Sequence, residues 1–165
     1  MSRPSRISVS LAVSVISLAL AAPSFAASDK AFLKKAMQGD NSEVRLGKLA
    51  AQKGSSQGVR DFGHMLDMDH GMHKDKVATL ASSMGENATD DITPQAKLED
   101  RKLQGLSGPK FDREFAQYMV KDHKHDISDY EKQARGKGPV ADLARDTVPT
   151  LRKHLETAEQ LTRGG

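Results

Sequence analysis

Apolar residues recur along this chain at spacings of three and four, the repeat of an α-helix with one buried face. The first such segment runs from about Asp29 to Lys53, with Ser28 as N-cap and Gly54 as terminator. Its stripe is Leu33, Ala36, Met37, Val44, Gly47, Ala50 and Ala51. Gly39 followed by Asp40-Asn41-Ser42 predicts a kink or local break, because an interior glycine costs ~1 kcal/mol relative to alanine. The second segment follows Ser55-Ser56 and ends near Met84-Gly85, with Val59, Phe62, Leu66, His70, His73, Val77, Leu80 and Met84 on one side. The third opens at Ser107-Gly108-Pro109 and carries Phe111, Phe115, Met119, His123, Ile127, Tyr130 and Ala134. Pro139 opens the fourth, whose stripe is Val140, Leu143, Thr147, Leu151, His154, Ala158 and Leu161; Pro149 inside it predicts a kink.

The connections differ in length. Gly54 to Ser56 and Gly136-Lys137-Gly138 are tight, whereas Glu86 to Leu106 is too long for a hairpin turn and holds a short helix opened by Thr93-Pro94. Helices of ~25 residues are ~38 Å long at 1.5 Å per residue, a length such a connection can travel. The expected fold is therefore all-α: a ferritin-like four-helix bundle with a long connection, carrying a short extra helix, between helices two and three. A plain up-down-up-down bundle with a loose loop is the alternative.

The first residues set a compartment. Arg3 and Arg6 precede an apolar stretch from about Ile7 to Ala22, then Pro23 and Ser24-Phe25-Ala26, with small residues at the −3 and −1 positions of a cleavage site. This is the layout of a secretory signal peptide over residues 1–26, with a mature domain over 27–165 and a periplasmic destination. A spanning helix wants ~20 apolar residues, more than this stretch offers, so no stable membrane anchor is expected after cleavage. With no cysteine in the chain, a lipid anchor on cysteine is excluded.

Cleavage changes the charge. The chain has 25 Lys+Arg and 22 Asp+Glu; removing the two arginines of the first 26 residues leaves 23 against 22. The charges are interspersed, so no footprint for nucleic acid appears. Neither a protein partner nor an oligomeric state is specified, and a homo-oligomer stays open. No cysteine nucleophile, Gly-x-Ser-x-Gly turn or glycine-rich phosphate loop is present, so nothing points to nucleophilic catalysis.

Polar residues inside apolar stripes are the informative exceptions. Each long helix carries one near its middle: Glu43, His70, His123 and His154. Equal depth in an antiparallel bundle brings them to one height, the way bundles build metal sites, and imidazoles with one carboxylate suit zinc, copper or iron. Asp69 and Asp122 precede two of these histidines and are expected to orient a histidine of another helix instead of ligating. Asp67 stands at i, i+3 from His70, the spacing of a di-iron motif. His64 and His125 fall on flanking faces, His73 is one turn from His70, and Met68 and Met72 bracket a minor copper option. A weak internal echo places Phe62, Asp69 and His70 at a constant offset from Phe115, Asp122 and His123. The competing reading is a hydrogen-bonded His/Asp layer that fixes helix register with no metal.

These residues also carry a resemblance. Phe32-x3-Ala36 is followed by Glu43-Val44-x-Leu46-Gly47-x-Leu49-Ala50 and Val59-x2-Phe62-x2-Met65-x3-Asp69-His70. Leu106-Ser107-Gly108-x2-Phe111-Asp112, Met119-Val120-x-Asp122-His123 and Thr147-x-Pro149-Thr150-Leu151-x2-His154-Leu155 complete the set. Together, from about Ala31 to Leu161, they resemble the exported bacterial proteins grouped as domain of unknown function 4142. The resemblance implies a ferritin-like bundle in the periplasm or envelope and no established activity. Leu151 stands where a di-iron enzyme of this shape has the acid of its last Glu-x-x-His pair, which argues against a ferritin-type redox enzyme. The leading expectation is an exported bundle of unestablished activity with a binding or protective role, for which these His/Glu residues offer a candidate transition-metal site. A structural or envelope-stress interaction protein without metal is the alternative, and a ferritin-type redox enzyme is third. Protein recovered from periplasm should begin at Ala27, and mass spectrometry finding an intact Met1 on membrane-bound protein would reverse the compartment.

Overall fold

The computed structural model describes residues 23–164, and side chains from Ser28 onward. The expected signal peptide, apart from its last four residues, lies outside the described residues. Five α-helices follow in order: α1 (Pro23–Lys53), α2 (Gln57–Ser83), α3 (Pro94–Gln104), α4 (Gly108–Ala134) and α5 (Pro139–Arg163). Among the described residues there is no strand, and no helix is long and apolar enough to cross a membrane.

Two buried apolar clusters give the direction of each helix. One gathers Leu46 and Ala50 of α1, Val59, Phe62 and Leu66 of α2, Phe111, Phe115 and Met119 of α4, and Ala158 of α5. The other gathers Leu33 and Met37 of α1, Val77 and Ala81 of α2, Tyr130 of α4, and Val140, Ala144 and Leu151 of α5. The first cluster thus takes the end of α1, the start of α2, the start of α4 and the end of α5. Helices α2 and α4 run parallel, so the chain between them returns along the whole bundle. This is the ferritin-like connectivity, and the up-down-up-down alternative is excluded. Helix α3 lies on that return path and adds Ala96 and Leu103 to the first cluster.

Two local expectations differ from the structure. Ser28 lies inside α1 instead of capping it, and α1 passes unbroken through Gly39–Ser42. The polar run has partners that a sequence does not display. The Asn41 side-chain amide donates to the carbonyls of Thr89 and Asp91 at 2.7 and 3.0 Å, and the Ser42 hydroxyl accepts the Thr93 N–H at 3.0 Å. Residues read as a break are the seam that holds the long connection, and Thr93 then caps α3 through the Ala96 N–H. Helix α5 continues through Pro149, whose face is exposed, so water can take the carbonyl that the missing N–H leaves over.

The tightest contact is between α1 and α2. A Cβ on Gly63 would stand 2.5 Å from the Ala51 nitrogen and 2.6 Å from the Gly47 carbonyl oxygen; one on Gly47 would stand 2.7 Å from the Gly63 carbonyl oxygen. Backbone meets backbone there, and no side chain can yield. Gly63→Ala should therefore cost about 1–3 kcal/mol as overpacking. Gly71→Ala, on the same helix with open space around it, should be neutral or gain up to ~1 kcal/mol from helix propensity. Thermal melts of the two variants check this, and equal midpoints would remove the close contact from the account.

Candidate metal centre

Between the two apolar clusters lies a polar layer. Glu43, His123 and His154 are fully buried, His70 is 6% exposed and Asp40 is 2% exposed. The three imidazoles form a triangle, with ring centroids 5.3 Å apart for His70–His154 and His123–His154 and 5.9 Å for His70–His123. Phe62 closes the side toward the first cluster, its ring 6.2 Å from His154 and 6.5 Å from His123.

Each ring has one nitrogen committed outward. His70 donates from Nδ1 to Asp40 at 3.0 Å, His123 from Nδ1 to the Met119 carbonyl at 3.0 Å, and His154 from Nε2 to Asp69 at 2.9 Å. A carbonyl and carboxylates only accept, so these partners fix the tautomers of neutral rings. The nitrogens left over, His70 Nε2, His123 Nε2 and His154 Nδ1, then carry lone pairs. One donor atom from each of the three rings lies within 4.8 Å of the others. His123 Nε2 stands 3.3 Å from His154 Nδ1, and His70 Nε2 is buried with no hydrogen-bond partner. Two nitrogens bound at 2.0–2.1 Å to one tetrahedral ion are about 3.3 Å apart by simple geometry. The pair therefore has the spacing of a ligand edge.

Glu43 stands elsewhere than expected. Its carboxylate groups with Asp122 and His123, again within 4.8 Å, and not with the full histidine triangle. Both of its oxygens are buried without a hydrogen-bond donor. Asp69 orients His154, but Asp122 orients no histidine; it meets Glu43, and its carboxylate joins a donor set beside its neighbour His123. The expectation for Asp122 assumed an imidazole across from it, and the packing of α1 on α4 supplies a carboxylate there.

The match to known proteins covers the same residues. Residues 17–161 match the family model described as domain of unknown function (DUF4142). The chain belongs to this family. Among solved structures it is similar to a DUF305 fragment from Deinococcus radiodurans, with 18% identity and a TM-score of 0.73 over 82% of this chain and 95% of that one, a likeness of fold. No curated protein matches.

In this DUF4142 chain, residues with weak sequence signals complete the layer. Asp40 accepts from His73 Nδ1 at 2.9 Å as well as from His70, so one carboxylate on α1 aligns two rings of α2. Neither residue stood out as a ligand orienter: Asp40 read as a helix breaker, and His73 as ambiguous. A cavity of about 30 Å³ beside His70 and His154 is lined also by Asp40, Asp69, His73 and Asp126, room for one or two waters. Asp67 turns away to Lys48 at 3.7 Å, so the Asp67-x-x-His70 spacing has no part in the layer. His64 and His125 are exposed. Met68 and Met72 are 60% and 55% exposed, so they do not join His70 and His73 in a copper cluster.

Burial sets the charge states. It pushes the imidazoles of His123 and His154 down, and the neighbouring histidines of the triangle push further, so both rings are neutral near neutral pH. Burial pushes Glu43 well above the usual carboxylate range, with Asp122 adding to it. Burial and Asp122 likewise push Asp126 up to about 8, against Lys35. An acid whose folded-state value is raised binds its proton more tightly in the fold, so its contribution to stability falls as pH rises through that window. The depressed histidines act oppositely, losing stability as pH falls below about 6.5. In metal-free protein held in chelator, Glu43→Gln removes the first effect. Its midpoint should gain on that of the parent protein as pH rises from about 5 to about 8. A gap constant across that range would mean that Glu43 ionises as an ordinary carboxylate.

Proposed function

We propose that this chain is an exported, periplasmic metal-binding bundle whose His70, His123 and His154 hold one first-row transition-metal ion. The basic, apolar and small-residue order of residues 1–26 supports the export part. One observation supports the metal part: three imidazole lone pairs point into one space, while every opposite N–H is held by Asp40, Asp69 or the Met119 carbonyl. Orienting partners behind each ring are the usual support of metal-bound histidine. Neutral imidazoles favour zinc, copper or iron over calcium or magnesium. The adjoining cavity, walled by His70 and His154 together with the Asp40 and Asp69 that orient them, leaves room for water beside the site. The reading assigns no reaction.

A metal-free polar layer is the second reading, favoured by the 3.3 Å separation of His123 Nε2 and His154 Nδ1, within reach of an N–H···N bond. That bond needs a proton on a nitrogen that the tautomers above leave bare. Placing it there turns a lone pair toward the Met119 carbonyl or the Asp69 carboxylate, at a cost of about 1–3 kcal/mol for the lost bond.

Zinc or copper added at a hundredfold excess over its dissociation constant should stabilise the fold by ~2.7 kcal/mol. His123→Ala should abolish that gain, whereas His64→Ala, on the exposed face, should keep it. Identical melting midpoints in chelator and in excess zinc or copper would leave the polar layer as the function of these residues.

A further inference from the structure

Glu43 has no role in the three-histidine position, and its setting calls for one. It is fully buried, both oxygens lack a donor, and its nearest candidate partners are the Asp122 carboxylate and His123. Two carboxyls offer each other no N–H, and since a buried charge without a partner is costly, the metal-free pair keeps a proton that a cation could replace. Tyr118, one turn before Asp122 on α4, stands close by with its hydroxyl buried beside the Asp122 carboxylate.

The internal echo sharpens the contrast. Asp69 on α2 and Asp122 on α4 occupy matching places, each just before a histidine of the triangle. Asp69 meets the N–H of His154 on α5 and is satisfied. Asp122 meets Glu43 on α1, a carboxyl facing a carboxyl, so that a proton or a cation has to stand between them. A cleft of about 380 Å³ has Asp122 on its wall, together with Ser42, Thr93, Tyr118 and Asp126, and Glu43 lies behind that wall. Lys35 and Lys121 stand on its wall, and Lys35 is taken by Asp129.

We infer that Glu43 and Asp122 form a second cation position, oxygen-rich and reached through this cleft, beside the three-histidine position. Its preferred occupant is a harder divalent ion than the one the imidazoles take, with Mn²⁺ a fitting probe, and cleft waters complete its shell. His123 belongs to both donor sets but has one lone pair to give, because Nδ1 is bound to the Met119 carbonyl. When an ion holds all three imidazoles, the second ion keeps the two carboxylates and water. The inference rests on the proposed metal reading only for that division of His123; the carboxylate pair stands by itself.

The test is a titration of the mature chain with Mn²⁺ followed by electron paramagnetic resonance, with and without one equivalent of Zn²⁺. The parent protein should bind one Mn²⁺ in either case. Glu43→Gln/Asp122→Asn should weaken Mn²⁺ by more than about tenfold while Zn²⁺ still raises the melting midpoint. The single variant Asp122→Asn, which leaves the buried position 43 unchanged, should weaken Mn²⁺ in the same direction. His70→Ala/His154→Ala should keep Mn²⁺ and lose Zn²⁺. If no chain binds Zn²⁺ or Cu²⁺ through the histidines but the parent protein binds Mn²⁺ through Glu43 and Asp122, the histidine reading fails and this one stands. Mn²⁺ that stays free with the parent protein, or that binds folded Glu43→Gln/Asp122→Asn unchanged, overturns the inference.

Discussion

The bundle depends on one close approach, the crossing at which the backbones of α1 and α2 touch through Gly47 and Gly63. In an antiparallel pair, a contact at one point fixes which residues face each other along the rest. Moving seven residues along each helix from that crossing leads from Gly47 to Asp40 and from Gly63 to His70, and those two are hydrogen-bonded at 3.0 Å. Seven residues are about two helical turns, so the pairing repeats on the same face. Glu43 lies on the same stretch of α1, between the crossing and Asp40, which is why it too enters the interior. A side chain at either glycine would push the helices apart and loosen Asp40 from the two rings it aligns. The polar layer is thus held in place by a contact that contains no polar side chain.

That layer is costly in an apolar setting, and its cost is not evenly distributed. The outward bonds of the histidines are satisfied by Asp40, Asp69 and a backbone carbonyl, as a stable interior requires. Among the inward nitrogens His70 Nε2 is not, and neither are the oxygens of Glu43, while His123 Nε2 and His154 Nδ1 have only each other at 3.3 Å. A layer selected only to fix helix register would pair its members with one another. Here the satisfied atoms surround the unsatisfied ones. The apolar clusters on both sides, rich in Phe, Leu and Met, supply the stability against which the unsatisfied centre is maintained.

Much of this was legible in the sequence because helices repeat at 3.6 residues. The apolar stripes, the long connection and the depth of His70, His123 and His154 follow from spacing alone. What spacing could not show is which residue stands opposite which. Asp40 looked like a helix breaker because its partners, His70 and His73, are thirty residues away and more. Asn41 and Ser42 looked alike for the same reason, being bonded to the long connection. Glu43 was placed at the right height, but of the three histidines expected beside it only His123 joins its donor set, since height in a bundle says nothing about which corner a side chain occupies. A polar run in mid-helix, with acids at positions 40 and 43 and at the level of two histidines on the next stripe, was the signal available for Asp40.

The two halves of the echo show how one bundle comes to hold two chemically different places. Phe62 and Phe115 meet with ring centroids 6.0 Å apart, and His70 and His123 meet at 5.9 Å, so the echoed residues of α2 and α4 face each other across the interior. Up to this point the two helices contribute alike. The difference lies in what their neighbours bring: α5 offers His154 to Asp69, whereas α1 offers Glu43 to Asp122. An imidazole across from an aspartate gives a satisfied N–H and an inward lone pair, which adds a nitrogen to the softer side of the layer. A glutamate across from an aspartate gives four oxygens and no N–H, which leaves the other side oxygen-rich, neutralised by the proton that burial holds on Glu43 or by a cation. A single exchange of residue type between corresponding corners therefore divides the interior into a nitrogen-rich and an oxygen-rich half. His123, with its one uncommitted lone pair, stands on the boundary between them.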